Sequence, residues 1–241
     1  MAALFKRFAD ELQWRYTSFA ARMTDRDPVT GIRMTRRNDL VNLGTIAAGW
    51  MVPAYALNKG SVCYCAGVGY DLSFELELIR RFWCRVFGFD PSPRAKGFVA
   101  RIGAEAVGYD FHRMALGDRD EVRKFSNAGD TTYIGIPATN DVLRTEKHYE
   151  TPCRRVATVM NEWGHGSLAL LKLDLDNGTH AVVNKMLEDG IRPSILCLAF
   201  ADGTDSERGV ITRTLQTLVE SDDYALVATD GRRRFTLLFE G

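Results

Sequence analysis

Residues 63–71 read CYCAGVGYD, and this stretch decides the fold class. It ends an apolar, strand-like segment (residues 61–66) with two glycines, Gly67 and Gly69, and the apolar face of a helix follows from Phe74. Strand-like and helix-like segments then alternate along the chain, which predicts an α/β fold with a mainly parallel sheet covered on both faces. The two glycines are explained either by a tight turn or by a backbone that comes close to a ligand.

Apolar runs and helical periodicity place the elements of this sheet domain, which is expected to span residues 61–241. Seven strands are predicted, at residues 61–66, 85–89, 106–116, 168–173, 194–200, 224–229 and 234–239. Helices are predicted around residues 74–82, 182–191 and 210–219. The last two strands flank Asp230-Gly231, a pair typical of tight hairpins, so the sheet is expected to close with an antiparallel edge.

Residues 1–60 are expected to form a helical segment in front of the sheet domain. Apolar residues recur at helical spacing from Ala2 to Met23, which predicts an amphipathic helix, and residues 39–57 are interpreted as one or two further helices. This segment is interpreted either as a cover for the sheet edge or as a lid whose aromatic side chains close over an acceptor. Dimerisation through the first helix, giving a homodimer, is a third alternative.

Composition excludes several classes of protein. Lysine plus arginine and aspartate plus glutamate number 31 each, so the formal net charge is zero, which argues against nucleic acid as the main partner. The longest weakly polar stretch, residues 44–57, is short and broken by Pro53, so no membrane span is expected. The five cysteines have no CxxC spacing, which predicts neither a disulfide framework nor a metal site, but buried thiols in a reducing cytoplasm.

The spacing of polar residues after the first two strands indicates a ligand site. In an open parallel sheet, ligands bind beyond the carboxyl ends of the strands. Backbone N–H groups of Gly67 to Gly69 and the following helix dipole favour an anionic group. Asp90 ends the second strand, 21 residues after Gly69, where a carboxylate can accept hydrogen bonds from ribose hydroxyls. Together these features predict a ligand that contains a nucleoside.

The same residues favour one nucleoside cofactor over another. A dinucleotide fingerprint needs a third small residue where Leu72 stands, and a nicotinamide-binding domain completes its sheet with parallel strands. S-adenosylmethionine needs only a nest for its carboxylate, an acid for its ribose and a slot for its adenine. The spacing therefore favours S-adenosylmethionine, and a nicotinamide oxidoreductase remains the weaker alternative.

Three blocks of the sequence resemble the FkbM-type methyltransferases. The first is CYCAGVGYDLSFELELIRRFWCRVFGFDPSP (residues 63–93), followed by HRMALGDRDEVRKF (112–125) and LLKLDLDNGTHAVVNKMLEDGIRPSILCLAF (170–200). The resemblance covers about residues 60–241. It implies a Rossmann-like class I methyltransferase fold, with a seven-stranded sheet whose last strand is antiparallel. It also implies transfer of a methyl group from S-adenosylmethionine to a hydroxyl of a small biosynthetic intermediate, such as a natural product or a sugar.

The resemblance further implies roles for individual residues. Gly67 and Gly69 would face the methionine end of the cofactor, Asp90 would hold the ribose, Ala115 and Leu116 would lie near the adenine, and Asp174 would lie beside the reacting centre. Asp71 is expected to cap the next helix, to contact the cofactor's amino group, or to do both. The candidate catalytic residues are Asp174, for which an acid capping the next turn is the alternative, and His180, for which an exposed histidine at a helix start is the alternative.

The sequence departs from the family where the chemistry is expected. The family has an acid–glycine–small–Glu pattern after the strand-four acid, where this chain has Asp176, Asn177, Gly178 and Thr179. A later strand usually ends with Glu before Phe, and here Ala199 precedes Phe200. These departures motivate a second hypothesis, in which the protein binds S-adenosylmethionine but has lost or altered catalysis and serves as a partner subunit or in a non-methylating reaction.

Overall fold

A computed structural model of the protein describes residues 25–126, 148–175, 178–201, 205–221 and 223–241. The strands are β1 (Leu40–Leu43), β2 (Trp50–Pro53), β3 (Val62–Ala66), β4 (Arg85–Phe89), β5 (Tyr109–His112), β6 (Ala115–Leu116), β7 (Glu121–Ser126), β8 (His148–Arg154), β9 (Leu170–Asp174), β10 (Ile195–Ala199), β11 (Tyr224–Thr229) and β12 (Arg234–Phe239). The helices are α1 (Ser73–Phe82), α2 (Pro93–Ile102), α3 (Val156–Trp163), α4 (Thr179–Glu188) and α5 (Asp205–Ser221).

Seven of the strands form the central sheet, in the order β11-β12-β10-β9-β3-β4-β5. Strands β10, β9, β3, β4 and β5 are parallel, and β12 runs antiparallel to both of its neighbours, β10 and β11. The predicted α/β fold, a mostly parallel seven-stranded sheet with an antiparallel hairpin at its end, is confirmed. The bounds predicted for β4, β11 and β12 are those observed.

The sheet is buried on both faces, and this burial explains why its strands read as nearly continuous apolar runs. One face packs against α3, α4 and α5, through side chains such as Val159, Val183 and Leu215. The other face packs against α1, α2 and the hairpin formed by β1 and β2, through side chains such as Leu78 and Trp50. The carboxyl ends of the parallel strands are left for loops, where the candidate site lies.

The helices predicted within residues 39–57 are wrong for most of the stretch, which forms the β1–β2 hairpin, and only Ala54–Ala56 is helical, as a single 3-10 turn. Gly44 has φ +86°, and a Cβ at this position would lie 2.9 Å from the backbone nitrogen of Phe74, so the chain turns where only glycine fits. Trp50 and Val52 are buried on alternate positions of β2, which is strand periodicity rather than helical periodicity. The helix predicted from Ala2 to Met23 lies outside the described residues.

The hairpin also changes how the N-terminal segment is interpreted. Leu43, Trp50 and Val52 belong to the same buried cluster as Cys63 of β3 and Cys197 of β10. The buried residues of β1 and β2 are therefore part of the core of the sheet domain, and the division at residue 60 stays a prediction.

Two other differences from the prediction have local causes. The strand predicted over residues 106–116 is divided into β5 and β6, and β5 begins only after Gly108, which has φ +92°. No helix was predicted between β4 and β5, but Pro93 begins α2 as its first residue, where a missing N–H is tolerated. Ser92 caps that helix by accepting a hydrogen bond from the Ala95 amide (3.1 Å).

The five cysteines are buried and free, as the spacing predicted. Within the described ranges, no helix is both long and apolar enough to cross a membrane.

Candidate active site

The carboxyl ends of β3, β4 and β9 border a cleft of about 280 Å³. Gly67 and Gly69 follow β3, Asp90 follows β4, and Asp174 ends β9, and all four line the cleft. Because these strands are neighbours in the sheet, residues from three distant parts of the sequence meet at one place. This cleft is called the first cleft below.

Asp90 joins the glycine loop to the end of β4. Its Oδ2 accepts hydrogen bonds from the amides of Val68 (3.0 Å) and Gly69 (3.2 Å), and its Oδ1 accepts one from Ser92 (2.8 Å). The Asp90 side chain is buried, with 8% of the residue exposed. A carboxylate offers about four lone pairs, so these three bonds leave room for one further donor.

The sequence predicted that the amides of the glycine loop bind an anionic group, but in the structure these amides already have hydrogen-bond acceptors within the protein. The Gly67 amide donates to Phe89 O (2.9 Å), and the next two amides donate to Asp90. The loop contributes a close backbone surface to the cleft rather than a nest of N–H groups.

Gly67 is required by the contact between the loop and β9. Its φ is +84°, and a Cβ built on it would lie 2.0 Å from the carbonyl oxygen of Asp174. No other residue fits this position without moving one of the two segments. The close approach at Gly67 is thus to the protein's own backbone, and an approach of the glycine loop to a ligand stays a prediction.

A buried ion pair supports the loop from below. Lys172, on β9, donates to Glu75 Oε1 on α1 (2.7 Å) and lies 3.4 Å from the carbonyl oxygen of Gly67. The Lys172 and Glu75 side chains are 5% and 0% exposed. Burial is the largest single effect and lowers the pKa of Lys172, but the attraction of nearby acidic groups, above all Glu75, and the hydrogen bond to Glu75 together raise that pKa, so the lysine is charged. Sequence analysis missed this pair, although a lysine inside the apolar run LLKLD was a visible signal.

Asp174 forms an ion pair with Arg233, which lies in the turn between β11 and β12. The Arg233 Nη2 to Asp174 Oδ1 distance is 2.5 Å, and the side chains are 28% and 16% exposed. Asp174 is thus oriented by a cation from the turn between β11 and β12.

Asp71 does not line the first cleft. Its Oδ1 accepts a hydrogen bond from the Ser73 amide (2.8 Å) at the start of α1, and its Oδ2 accepts one from the Thr45 hydroxyl (2.8 Å). Burial raises the pKa of Asp71, but the hydrogen bonds from Ser73 and Thr45 outweigh it, and the net pKa is lowered. Asp71 therefore makes the hydrogen bond expected of a helix cap. It is not among the residues that line the cleft, so its contact with the cofactor stays a prediction.

His180 does not line the first cleft either, although its neighbours on α4 do. Gly178, Ala181 and Val182 are lining residues, and His180 is not among them. The start of α4 is fixed by Thr179, whose hydroxyl donates to the Ala199 carbonyl (2.7 Å). A catalytic role for His180 stays a prediction. The hydrogen bond from Thr179 to Ala199 connects two positions at which the sequence departs from the FkbM-type pattern.

The cleft has a wall that sequence analysis missed, a ribbon made of β7 and β8. Alternate residues of β7 face the cleft, namely Arg123 and Phe125, whereas Val122 between them is 69% exposed. Tyr149 on β8 is paired with Phe125, and their rings stack at 5.6 Å with an angle of 14°. No apolar–polar alternation in EVRKFS marks this strand, because its two apolar residues, Val122 and Phe125, are three positions apart and lie on opposite faces.

Ala115 and Leu116 lie at the base of this ribbon, as part of the wall. Both residues are buried, both line the cleft, and they pair with Cys153 and Arg154 of β8. Asp118 follows them and also lines the cleft, with its carboxylate 3.0 Å from Arg123. The structure therefore brings together Gly67, Gly69, Asp90, Ala115, Leu116 and Asp174 from the predicted set, and leaves out Asp71 and His180. Among the residues that the structure describes, no cluster of His, Cys, Asp and Glu is placed to hold a metal ion.

Comparison with known proteins gives similarities among solved structures alone. The sequence matches no protein-family model, and no curated protein matches it. An rRNA methylase from Streptococcus thermophilus is 12% identical with a TM-score of 0.40, and the match covers 76% of this chain and 88% of that one. An SAH-bound methyltransferase from Podospora anserina is 9% identical with a TM-score of 0.43 and coverages of 75% and 72%. Fibrillarin from Aeropyrum pernix, solved with natively bound S-adenosyl-L-methionine, is 10% identical with a TM-score of 0.39 and coverages of 88% and 86%.

Identities of this size do not transfer an activity from one protein to another. The FkbM-type resemblance stays a prediction, and the function rests on the geometry of the first cleft.

Proposed function

We propose that the first cleft binds S-adenosylmethionine and that the protein transfers its methyl group to a hydroxyl of a small molecule. This proposal rests mainly on the position and hydrogen bonds of Asp90. Its carboxylate lies at the end of β4, closes onto the glycine loop after β3, and keeps hydrogen-bonding capacity toward the cleft. An acid at this place in a parallel sheet is suited to a ribose. The antiparallel β12 further favours this cofactor over a nicotinamide dinucleotide.

The residues of the cleft fit the parts of this cofactor. Asp90 would accept a hydrogen bond from the ribose, and Ala115 and Leu116 offer an apolar surface to the adenine. The methionine part would lie along the backbone of Gly67 and Gly69, close to Asp174. When bound, S-adenosylmethionine supplies a methyl group that its sulfonium has already activated. The protein's task is then to hold and orient, and orientation can lower a barrier by ~7–11 kcal/mol in favourable cases.

A hydroxyl acceptor also loses a proton, and Asp174 is the candidate group to receive it. The carboxylate is held by Arg233 through Oδ1, so Oδ2 is the oxygen left for the acceptor. General base catalysis of this kind contributes about 10²–10⁴-fold. His180 is not proposed in this role, because it does not line the cleft.

A second candidate function is cofactor binding without methyl transfer. The hydrogen bond between Thr179 and Ala199 favours it, because it occupies positions at which the FkbM-type pattern has glutamates. In this case the protein would act as a partner subunit or in a non-methylating reaction.

Calorimetry with S-adenosylhomocysteine tests the cofactor assignment. We expect Asp90→Ala to abolish binding, and Asp110→Ala, which removes an exposed acid from the adjacent strand β5, to leave it unchanged. Equal affinities of the two variants would contradict the assignment of the ribose to Asp90. Binding of NADH in place of S-adenosylhomocysteine would contradict the cofactor altogether.

Methyl-labelled cofactor then separates the two candidate functions. We expect transfer to a member of a panel of small hydroxyl compounds, and none to RNA, because acidic and basic residues balance at 31 each. Tight binding without transfer to any acceptor would favour the second candidate. Transfer to RNA would contradict the small-molecule acceptor.

A further inference from the structure

A second cleft, of about 460 Å³, lies at the same edge of the sheet as the first. Its floor includes the last residues of β11 and the first residues of the antiparallel β12, so it too opens at the carboxyl ends of the parallel strands. Its walls are the β1–β2 hairpin and residues 34–38. The amide of Thr35 donates to Leu226 O (2.8 Å), which fixes this segment along the edge strand β11.

Two connections join the second cleft to the first. In the β11–β12 turn, Arg233 pairs with Asp174 of the first cleft while the next residue, Arg234, lines the second. In the β1–β2 turn, Thr45 donates to Asp71 beside the glycine loop, and the adjacent Ile46 lines the second cleft. The second cleft therefore lies on the methionine side of the proposed cofactor site, where an acceptor must approach.

Arg234 brings a guanidinium to the second cleft, and the acid that lines the cleft beside it, Asp230, accepts hydrogen bonds from backbone amides of the turn, including that of Arg234 (3.0 Å). The Arg234 Cζ lies 5.6 Å from the centre of the Trp50 ring, and its Nε is buried without a hydrogen-bond partner in the described part of the chain. The other arginines that line this cleft are paired, Arg36 with Asp25 and Arg37 with Asp39. A guanidinium offers several donors in one plane and matches the oxygens of a carboxylate or phosphate.

The rest of the second cleft is mainly apolar. Trp50 is 3% exposed and forms one side together with Met34, Ile46 and Met51. A cleft of this size, apolar with a few placed polar groups, is typical of a small-molecule site. A ligand that fits it has an apolar body and one oxyanion group.

We infer that the second cleft binds the methyl acceptor, and that the acceptor is a small molecule bearing a carboxylate or phosphate that Arg234 recognises. This inference rests on the proposed function, since it names the acceptor class of the same enzyme. Arg234 is a binding residue in it, and the reacting hydroxyl points toward Asp174.

The test is a titration followed by nuclear magnetic resonance of the Trp50 indole N–H, assigned with Trp50→Phe. The probes are 4-hydroxybenzoate, phenyl phosphate and the neutral 4-hydroxybenzamide. We expect at least one of the two anions to shift the resonance and to bind about tenfold or more weakly to Arg234→Gln, because a charged hydrogen bond is lost. Arg232→Gln, which changes an exposed residue of the same turn outside the cleft, should bind like the wild type.

Which anion binds tells whether a carboxylate or a phosphate is preferred. The amide should bind wild type and Arg234→Gln alike, and Arg234→Lys should recover part of the anion affinity. Absence of a shift with both anions, or equal anion affinities of wild type and Arg234→Gln, would overturn the inference.

Titrating with and without S-adenosylhomocysteine separates this inference from the proposed function. If the nucleoside does not bind but the anion does, the cofactor proposal fails and the anion site stands. If the nucleoside binds and neither anion shifts Trp50, the acceptor class is wrong and the cofactor proposal stands.

Discussion

Asp90 is the residue on which both the shape and the proposed chemistry of the first cleft depend. Its two oxygens accept from three backbone amides, so a neutral amide in its place presents an N–H to one of them. We expect Asp90→Asn to lower the free energy of unfolding by about 1–3 kcal/mol, because a buried donor loses its acceptor. Urea unfolding measures this change, and Asp110→Asn is the control. Unchanged stability would mean that the loop does not need this carboxylate.

The Lys172–Glu75 pair is the other residue-level feature that invites a test, because both side chains are almost fully buried. We expect Lys172→Met to destabilise the protein by about 3–5 kcal/mol, since it leaves a carboxylate buried and uncompensated. The double variant Lys172→Met, Glu75→Leu should recover most of this loss. The control is Lys185→Met on the solvent side of α4, where little change is expected. A double variant no more stable than the single one would contradict a pairwise role.

The β7–β8 ribbon is an element with one side in the first cleft and the other in solvent. If Phe125 and Tyr149 contact the bound nucleoside, Phe125→Ala should weaken S-adenosylhomocysteine binding about fivefold, since an aromatic contact contributes about 0.5–1.5 kcal/mol beyond its buried area. Val122→Ala, on the exposed side of the same strand, should not change it. Calorimetry measures the affinity of each variant for S-adenosylhomocysteine, and equal affinities of Phe125→Ala and Val122→Ala would place the ribbon outside the cofactor site.

The β1–β2 hairpin is held to the start of α1 by Asp71, which makes this junction sensitive to acid. Because its pKa is lowered in the folded protein, Asp71 contributes stability above its ordinary value of 3.8, and this contribution is lost as the pH falls through the folded pKa. We expect the stability of Asp71→Asn to decline less than that of the wild type between about pH 5 and pH 2. Urea unfolding at several pH values checks this, with Asp110→Asn as the control. Parallel curves for Asp71→Asn and the wild type would contradict the role of this carboxylate.

At the level of the whole molecule, the central sheet was predictable because its strands are buried on both faces. The short, continuous apolar runs of β4, β10 and β11 indicate buried strands, and Asp230-Gly231 indicates the hairpin. The β1–β2 hairpin was not predictable in the same way, since residues of β1 are only partly buried and the segment carries no long apolar run.

The candidate site was predictable in part, for a related reason. Positions at strand ends follow from the sheet, which is why Gly67, Asp90 and Asp174 were found. The pairs that orient them join residues 59 and 97 positions apart, Asp174 with Arg233 and Glu75 with Lys172. No local pattern encodes such contacts, so His180 was chosen by its closeness in sequence to Asp174 and proved to lie off the cleft.

The proposed cofactor has a consequence for the stability of the whole chain, because a ligand that binds the folded state alone stabilises it by mass action. At about 100 times its dissociation constant, S-adenosylhomocysteine should add about 2.7 kcal/mol. For a chain of 241 residues this corresponds to a rise in the unfolding midpoint of about 5–10 °C. Differential scanning fluorimetry measures the rise, which should be absent with NADH and in Asp90→Ala. A rise with NADH and none with S-adenosylhomocysteine would show that the sheet, despite its antiparallel β12, serves a dinucleotide.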